Sequence, residues 1–189
     1  MKKKLILAAT TVTLLAVGGG VYTLHHGFSA RDNPTIMEVA AATTARRLAV
    51  PRHVRNLNNP FPVNDDALHE ARINWAQNCA LCHANNGSGE TSIGQNMYPK
   101  PPDLRTPRIQ QQADGELYAV IQNGIRLTGM PAWGEVRDDE RDRWNLVAFI
   151  RHLPKLTPEE EREMERNNPR AVDDTTAPTS STPHKKKLE

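Results

Sequence analysis

Cysteine is scarce in this chain: only two occur among its 189 residues, and just two residues separate them. A disulfide between them would close too small a loop to constrain the unfolded chain. The sequence therefore excludes a disulfide scaffold, and a pair at this spacing indicates redox, metal or cofactor chemistry instead. Without a second cysteine pair, a structural zinc site also lacks its usual ligands.

The chain also lacks a strong excess of charge of one sign. Its 24 Lys and Arg residues face 22 Asp and Glu residues, so the formal net charge is only +2. The basic residues do not form one stripe, and we therefore expect no nucleic-acid partner. Prolines gather between Pro99 and Pro107 and in the last third of the chain, which indicates that the part able to fold is shorter than the whole.

The N-terminal segment has the pattern of a membrane signal. Three lysines precede an uncharged run from Leu5 to Leu24, which is long enough to span a bilayer as a helix. The lysines should stay in the cytoplasm, which places the rest of the chain in the periplasm or otherwise outside the cytoplasm. We expect residues 1–30 to be a transmembrane signal-anchor. Cleavage near the small residues 16–18 is the alternative.

Apolar residues recur at helical spacing along the rest of the chain, and no segment has the pattern of a strand. We expect an all-α fold with a compact domain at residues 64–157. Its predicted helices cover residues 64–77, 114–123 and about 138–153.

Two segments flank this expected domain. Residues 31–63 are interpreted as a spacer that contains a short helix at 36–50, ended by Pro51. Residues 158–189 are predicted to hold a short charged helix and then a disordered tail, because the tail has too few apolar side chains to bury.

The chemistry is concentrated in the run CALCH, from Cys79 to His83. Two thiols on one turn of chain can add across the two vinyl groups of a haem, and the adjacent histidine then lies beneath the iron. Cys-x-x-Cys-His is the attachment signature of haem c. Because the run follows a predicted helix in an exported chain, we predict one haem c bound covalently by Cys79 and Cys82, with His83 as an axial ligand.

Two other interpretations of the cysteines were weighed. A zinc site needs further ligands, and the chain has no other cysteine. A thioredoxin-like dithiol is normally preceded by a strand within a βαβ pattern, whereas a helix is predicted before Cys79. Both are less favoured than haem attachment.

A low-spin haem needs a sixth ligand, for which Met130 is the best candidate. The run GMPAW places it on a rigid loop after a helix, and a thioether ligand raises the reduction potential of the iron. Met97 is a rival, because it lies close to His83 in sequence. Bis-histidine ligation is a further, less favoured alternative.

The segment from about Asp66 to Leu156 resembles a class I, mitochondrial-type, cytochrome c domain. The matching parts are an N-terminal helix, CALCH, a loop, the helix DGELYAVIQNG, GMPAW and the C-terminal helix WNLVAFIRHL. The resemblance implies a cytochrome c fold of three to five helices around one covalent haem. It also implies that the first and last helices cross closely, with Ala71 and Trp75 on one side and Trp144 on the other. Ala71 stands where the family usually has glycine.

The resemblance also implies two residues that support the haem. In the family a proline carbonyl holds the other nitrogen of the proximal histidine, and Pro102 best matches that position, with Pro99 and Pro101 as alternatives. Trp133 is a candidate for a hydrogen bond to a haem propionate, although simple packing beside Met130 explains it equally well.

These features predict a single-electron carrier rather than an enzyme, because protein ligands fill both axial positions. Its partners should be redox proteins, most of them associated with the membrane. Two alternatives stay open. The first is that the chain is the haem subunit of an exported oxidoreductase complex, and the second, less favoured, is that it is a haem-based ligand sensor.

Overall fold

The computed structural model describes residues 2–26, 29–134 and 140–169, and every regular element in these ranges is helical. This result confirms the all-α prediction. The α-helices of the described ranges are, in chain order, α1 (Lys2–His26), α2 (Ile36–Ala49), α3 (Arg52–Arg55), α4 (Asp65–Asn78), α5 (Ala80–His83), α6 (Pro107–Gln110), α7 (Asp114–Asn123), α8 (Glu140–His152) and α9 (Pro158–Asn167). Short 3-10 turns occur at Gly94–Asn96 and Leu153–Lys155.

Helix α1 belongs to a compact unit of its own, Met1–Asp32. Its stretch Lys2–Leu24 is long and apolar enough to cross a membrane, although a signal sequence has the same properties. The hydroxyls of four threonines each donate to the carbonyl four residues earlier, which gives these polar groups a partner within the helix. They are Thr10, Thr11, Thr13 and Thr23.

The second unit, Asn33–Glu189, contains the hydrophobic core. Helix α4 begins where the Asn64 side chain accepts a hydrogen bond from the Ala67 N–H, which satisfies one of the unpaired donors of the first turn. It packs along α8, and this is the most extensive helix–helix contact of the unit. Ala71 and Trp75 of α4 are almost fully buried, as are Trp144 and Val147 of α8. The predicted contact faces of these two helices are therefore confirmed.

Helix α7 completes the core by packing against α8. The Tyr118 ring stacks on Trp144, with 4.4 Å between the ring centroids. Leu117 and Ile121 lie on the buried side, and the helix stops at Gly124, whose φ of 63° suits a residue without a side chain. The apolar residues at the centre of this helix are thus buried, as the helical spacing predicts.

Helix α9 packs against α4 through one apolar side chain and a set of ion pairs. Met164 has no exposed surface. Arg72 of α4 contacts Glu160 at 2.7 Å and Glu163 at 2.8 Å, and two histidines add further contacts to these glutamates. They are His69 to Glu163 and His152 to Glu160.

The segment before α4 is helical in two places. Helix α2 begins with a capping box, in which the side chains of Thr35 and Glu38 each accept a hydrogen bond from the other's backbone N–H. Helix α3 packs against α7. The contact is close because Gly115 of α7 has no side chain: a Cβ there would lie 2.0 Å from the Val54 carbonyl oxygen.

The helix limits agree closely with those predicted. The helices expected at 36–50, 64–77 and 114–123 are confirmed to within one residue at each end, and the charged helix at the C-terminal side is confirmed as α9. The expected start of the last large helix near Asp138 lies outside the described residues, as does the expected disordered tail from residue 170 onward.

The contacts of α9 predict how stability depends on pH. Burial alone raises the pKa of Glu160 and Glu163, but hydrogen bonds and the nearby charges of Arg72 and the histidines outweigh it, so both pKa values fall below the ordinary 4.5. Carboxyls with a lowered folded-state pKa stabilise the protein above their unfolded pKa and lose this effect as pH falls through the folded value. We therefore expect the double variant Glu160→Gln/Glu163→Gln to be less stable than the wild type at pH 6 and to differ less from it near pH 3.

Urea unfolding followed by circular dichroism across this pH range measures the effect. The double variant Glu159→Gln/Glu165→Gln is the matched control, because both of these side chains lie exposed on the same helix. A constant stability difference between wild type and Glu160→Gln/Glu163→Gln at all pH values would contradict the prediction.

Candidate functional site

The two cysteines and the histidine lie on a single turn of helix at the end of α4. Cys79 ends α4 by donating its N–H to the Trp75 carbonyl at 2.8 Å. Its own carbonyl accepts the His83 N–H at 3.0 Å, so the chain winds once more as α5. Ala84 then leaves the helix with a φ of 61°, a conformation that costs a residue with a side chain roughly 1 kcal/mol. The turn is therefore short and sharply ended.

Both cysteine side chains are half-buried, and Cys79 packs against the hydrophobic core. Burial raises the pKa of the Cys82 thiol, so this residue lacks the stabilised thiolate of a catalytic dithiol. Among the described residues, no three His, Cys, Asp or Glu side chains gather into a group able to hold a metal ion. Neither the dithiol nor the zinc interpretation gains support from these surroundings.

The His83 imidazole is held inside the domain beside Trp75, with 5.8 Å between the ring centroids. Burial lowers the pKa of His83 to about 4, so the ring is neutral at physiological pH, as a metal ligand must be. Its Nδ1 atom is buried and has no hydrogen-bond partner in the described part of the chain. A buried polar atom without a partner is costly, so the hydrogen-bonding capacity of this ring is not satisfied by the described residues.

Trp75 fixes the end of the turn. Its indole Nε1–H donates to the Ala84 carbonyl at 3.0 Å, and its ring packs against Phe149 of α8 with 5.5 Å between centroids. The side chain thus connects the residue after His83 directly to the buried face of α8. Sequence analysis placed Trp75 in the helix contact but missed this hydrogen bond, for which the sequence carries no signal.

The glycine-rich loop after His83 folds back on the turn. The Gly89 N–H donates to the His83 carbonyl at 2.9 Å, with Gly89 at a φ of 77°. A Cβ at Gly89 would lie 2.5 Å from the Pro101 carbonyl oxygen, so glycine is needed for this close approach. Thr91, which is nearly buried, donates its hydroxyl to the Leu81 carbonyl at 2.9 Å. Sequence reasoning did not single out Thr91, because a threonine in a loop is common.

Met130 lies half-buried on a loop that returns to the end of α7. Its carbonyl accepts the Ile125 N–H at 3.1 Å, and its own N–H donates to the Thr128 hydroxyl at 3.1 Å. Pro131 follows it, and the Trp133 N–H donates to the Ile121 carbonyl at 3.1 Å. Hydrogen bonds therefore anchor the loop on both sides of Met130, which agrees with the rigid loop predicted from the run GMPAW.

Met97 lies against the same loop. Its side chain occupies the space next to Gly129, where a Cβ would come within 1.7 Å of the Met97 Cε. The structure therefore brings the candidate Met130 and its rival Met97 to one place, although they are far apart in sequence. The choice between them stays a prediction.

Trp133 and Pro102 lie in different settings. Trp133 packs against the core and lines the same small cleft as Cys79, Asn78 and Arg143, so it lies close to the cysteine turn. The Pro102 carbonyl is not bonded to His83 Nδ1, since that atom has no partner in the described residues. Its supporting role stays a prediction, as does a propionate contact for Trp133. Arg126 is exposed.

The residues present fit a covalently bound haem c. The donor set consists of two half-buried thiols on one helical turn and a neutral, buried imidazole with an unpartnered nitrogen. Met130, on its anchored loop, stays the predicted source of a thioether ligand. This combination matches the ligands that haem iron takes in c-type cytochromes.

Comparison with known protein families supports this interpretation. Residues 66–150 match the family model described as cytochrome c oxidase, cbb3-type, subunit III. The matched range includes the cysteine turn, α7, the Met130 loop and most of α8. The match supports a c-type cytochrome domain in this segment, and the all-helical structure is consistent with the cytochrome c fold. It also supports haem-based electron transfer as the general function.

The hydrogen bond from Trp75 predicts a local effect of Trp75→Phe. The phenyl ring keeps most of the packing but leaves the Ala84 carbonyl without its donor, which should cost about 1 kcal/mol of stability. Amide hydrogen exchange in residues 80–89 should become faster, because the end of the turn loses its connection to the core.

Trp144→Phe is the matched control, since Trp144 is equally buried and its indole N–H donates to the Glu140 carboxylate of its own helix, at 3.3 Å. Equal exchange rates in residues 80–89 for the two variants would show that the Trp75 bond does not hold the turn.

Proposed function

We propose that this protein transfers single electrons through one haem c, covalently bound by Cys79 and Cys82 and ligated by His83 and Met130. The observation that carries the proposal is the single helical turn that holds both thiols and the buried, neutral imidazole, within a segment that matches a haem-binding family. When bound, haem c supplies an iron centre that alternates between the ferric and ferrous states.

The cysteines attach the group without any change of oxidation state. Cys79 and Cys82 would each hold the group through a thioether bond to one of its vinyl groups, with the thiol hydrogen taken up by the other vinyl carbon. Because both residues lie on one turn beside His83, they would hold the group next to this imidazole.

The axial residues determine what the protein can do. His83 is neutral because burial disfavours its protonated form, so it can donate its lone pair across the physiological range. A thioether ligand stabilises ferrous iron and raises its potential, and Met130 would supply it. With His83 and Met130 both bound to the iron, no open position would be left for oxygen or peroxide. The protein would then be a carrier and not an enzyme.

The N-terminal helix supports a membrane-bound location. Its apolar stretch follows three lysines and can span a bilayer, and positively charged flanks favour the cytoplasmic side. The haem domain then lies on the periplasmic or extracytoplasmic side. A tether also raises the effective concentration of redox partners held in the same membrane.

A second candidate function is that of a haem c subunit in an exported oxidoreductase complex. The description of the matching family, an oxidase subunit, favours this candidate. The two functions differ in assembly and not in haem chemistry. Purification of the full chain from its native membrane with a partner protein at a fixed ratio would favour the subunit, and a monodisperse haem protein would favour the free carrier.

The optical spectrum of the purified protein tests the haem proposal. Haem absorption should stay with the polypeptide after denaturation, because two thioether bonds hold the group. The variant Cys79→Ser/Cys82→Ser should lose the colour on denaturation or fail to bind haem at all. A colourless wild-type protein from a host that attaches haem would overturn the proposal.

Substitution of the two methionines identifies the sixth ligand. Met130→Ala should lose the sulfur-to-iron absorption band of the oxidised protein, lower the reduction potential and allow the reduced protein to bind carbon monoxide, because the axial position opens. Met97→Ala is the matched control and should keep the band. Loss of the band in Met97→Ala alone would assign the ligand to Met97.

A further inference from the structure

A second, basic site lies away from the cysteine turn, between the segment that ends at α3 and the start of α7. It is an open cleft of about 460 Å³, lined by Arg47, Arg55, Arg108, Gln111, Gln112 and Glu116. Pockets for small ligands have volumes of about 300–1,000 Å³. The cleft is therefore open to solvent and large enough for a small molecule.

The arginine-bearing segments are held in place by the fold. Helix α3 packs closely on α7, because Gly115 leaves room for the Val54 and Arg55 carbonyls. Arg55 then contacts Glu116 at 2.9 Å and also donates to the Arg47 carbonyl. These contacts connect the end of α2, α3 and α7 into one wall. Because the wall is already ordered, ligand binding has a smaller entropic cost.

The positive charge of the cleft exceeds its negative charge. Arg46 lies next to the cleft, because its Nη1 atom is 3.5 Å from the Oε1 atom of the lining residue Gln112. Glu116 is the carboxylate that lines the cleft, and it is already paired with Arg55. The nearby Asp114 is engaged by Arg151 at 2.7 Å. Four arginines thus face one paired glutamate.

The excess of positive charge affects the pKa of Arg46. Burial lowers the pKa of Arg46, Glu116 raises it, and the positive charges of Arg47 and Arg108 lower it further. Arg47 and Arg108 are both exposed, and neither has an acidic side-chain partner in the described residues. Like charges held together without partners repel each other, and a bound anion removes that repulsion.

The donors fit phosphate chemistry. Guanidinium groups present paired N–H donors that match two oxygens of one phosphate, and the side-chain amides of Gln111 and Gln112 add neutral donors at the cleft wall. We propose that this cleft binds a small ligand with two or more phosphate groups, either a free anion or the headgroup of a phospholipid. The volume of the cleft suits a ligand of this size.

Titration of the full chain with pyrophosphate tests the site. Isothermal titration calorimetry in a zwitterionic detergent at low salt should detect saturable binding. Arg47→Gln/Arg108→Gln should weaken it about 10-fold or more, because each arginine supplies charge-assisted hydrogen bonds. Both side chains are exposed and outside the core, so this variant should fold normally.

The matched control is Arg126→Gln/Arg166→Gln, which removes the same charge from exposed positions outside the cleft. It should change the affinity less than about twofold. Absence of saturable pyrophosphate binding, or an equal loss in both double variants, would overturn the proposal. So would binding of an acidic polypeptide such as polyglutamate without any binding of pyrophosphate.

A competition experiment then separates the two sources of phosphate. Mixed micelles that contain cardiolipin, whose headgroup carries two phosphates, should compete with pyrophosphate if the cleft accepts a lipid headgroup, and Arg47→Gln/Arg108→Gln should abolish this competition. Binding of pyrophosphate without lipid competition would assign the cleft to a free anion. Neither result depends on haem loading, so the site is tested independently of electron transfer.

Discussion

The side chain of Trp75 makes the contacts on which the arrangement of the site depends. It lies at the crossing of α4 and α8, where its ring meets Phe149. The same ring lies beside His83, and its N–H holds the Ala84 carbonyl at the end of the cysteine turn. One residue therefore links the packing of the core to the position of the imidazole. A change in the helix crossing would be transmitted directly to the proposed iron ligand.

Arginines serve two different purposes in the second unit. Arg72 is largely buried and bonds to two glutamates of α9, so its charge is compensated within the fold and contributes to helix packing. In the basic cleft, Arg47 and Arg108 are exposed and have no acidic side-chain partner in the described part of the chain. The first arrangement stabilises the protein by itself, whereas the second is completed only by an external anion.

Much of the fold and part of the site could be predicted from the sequence. Apolar spacing predicted α4 and α7, and Pro51 marked the end of α2, because these signals are local. The CALCH run marked the turn proposed to bind haem for the same reason. Met97 and Met130 could not be ranked further, since their meeting depends on two loops that are distant in sequence. The interaction of α9 with α4 was also not predicted, because ion pairs between distant residues leave no periodic pattern.

The sequence by itself determined the all-helical class, the residues proposed to hold the haem and the apolar N-terminal segment. Each of these depends on residues within a few positions of one another. Only the tertiary structure decided that His83 is buried beside Trp75 and that arginines from three segments face one cleft. Burial and charge balance depend on which distant segments pack together, and that is a property of the folded chain as a whole.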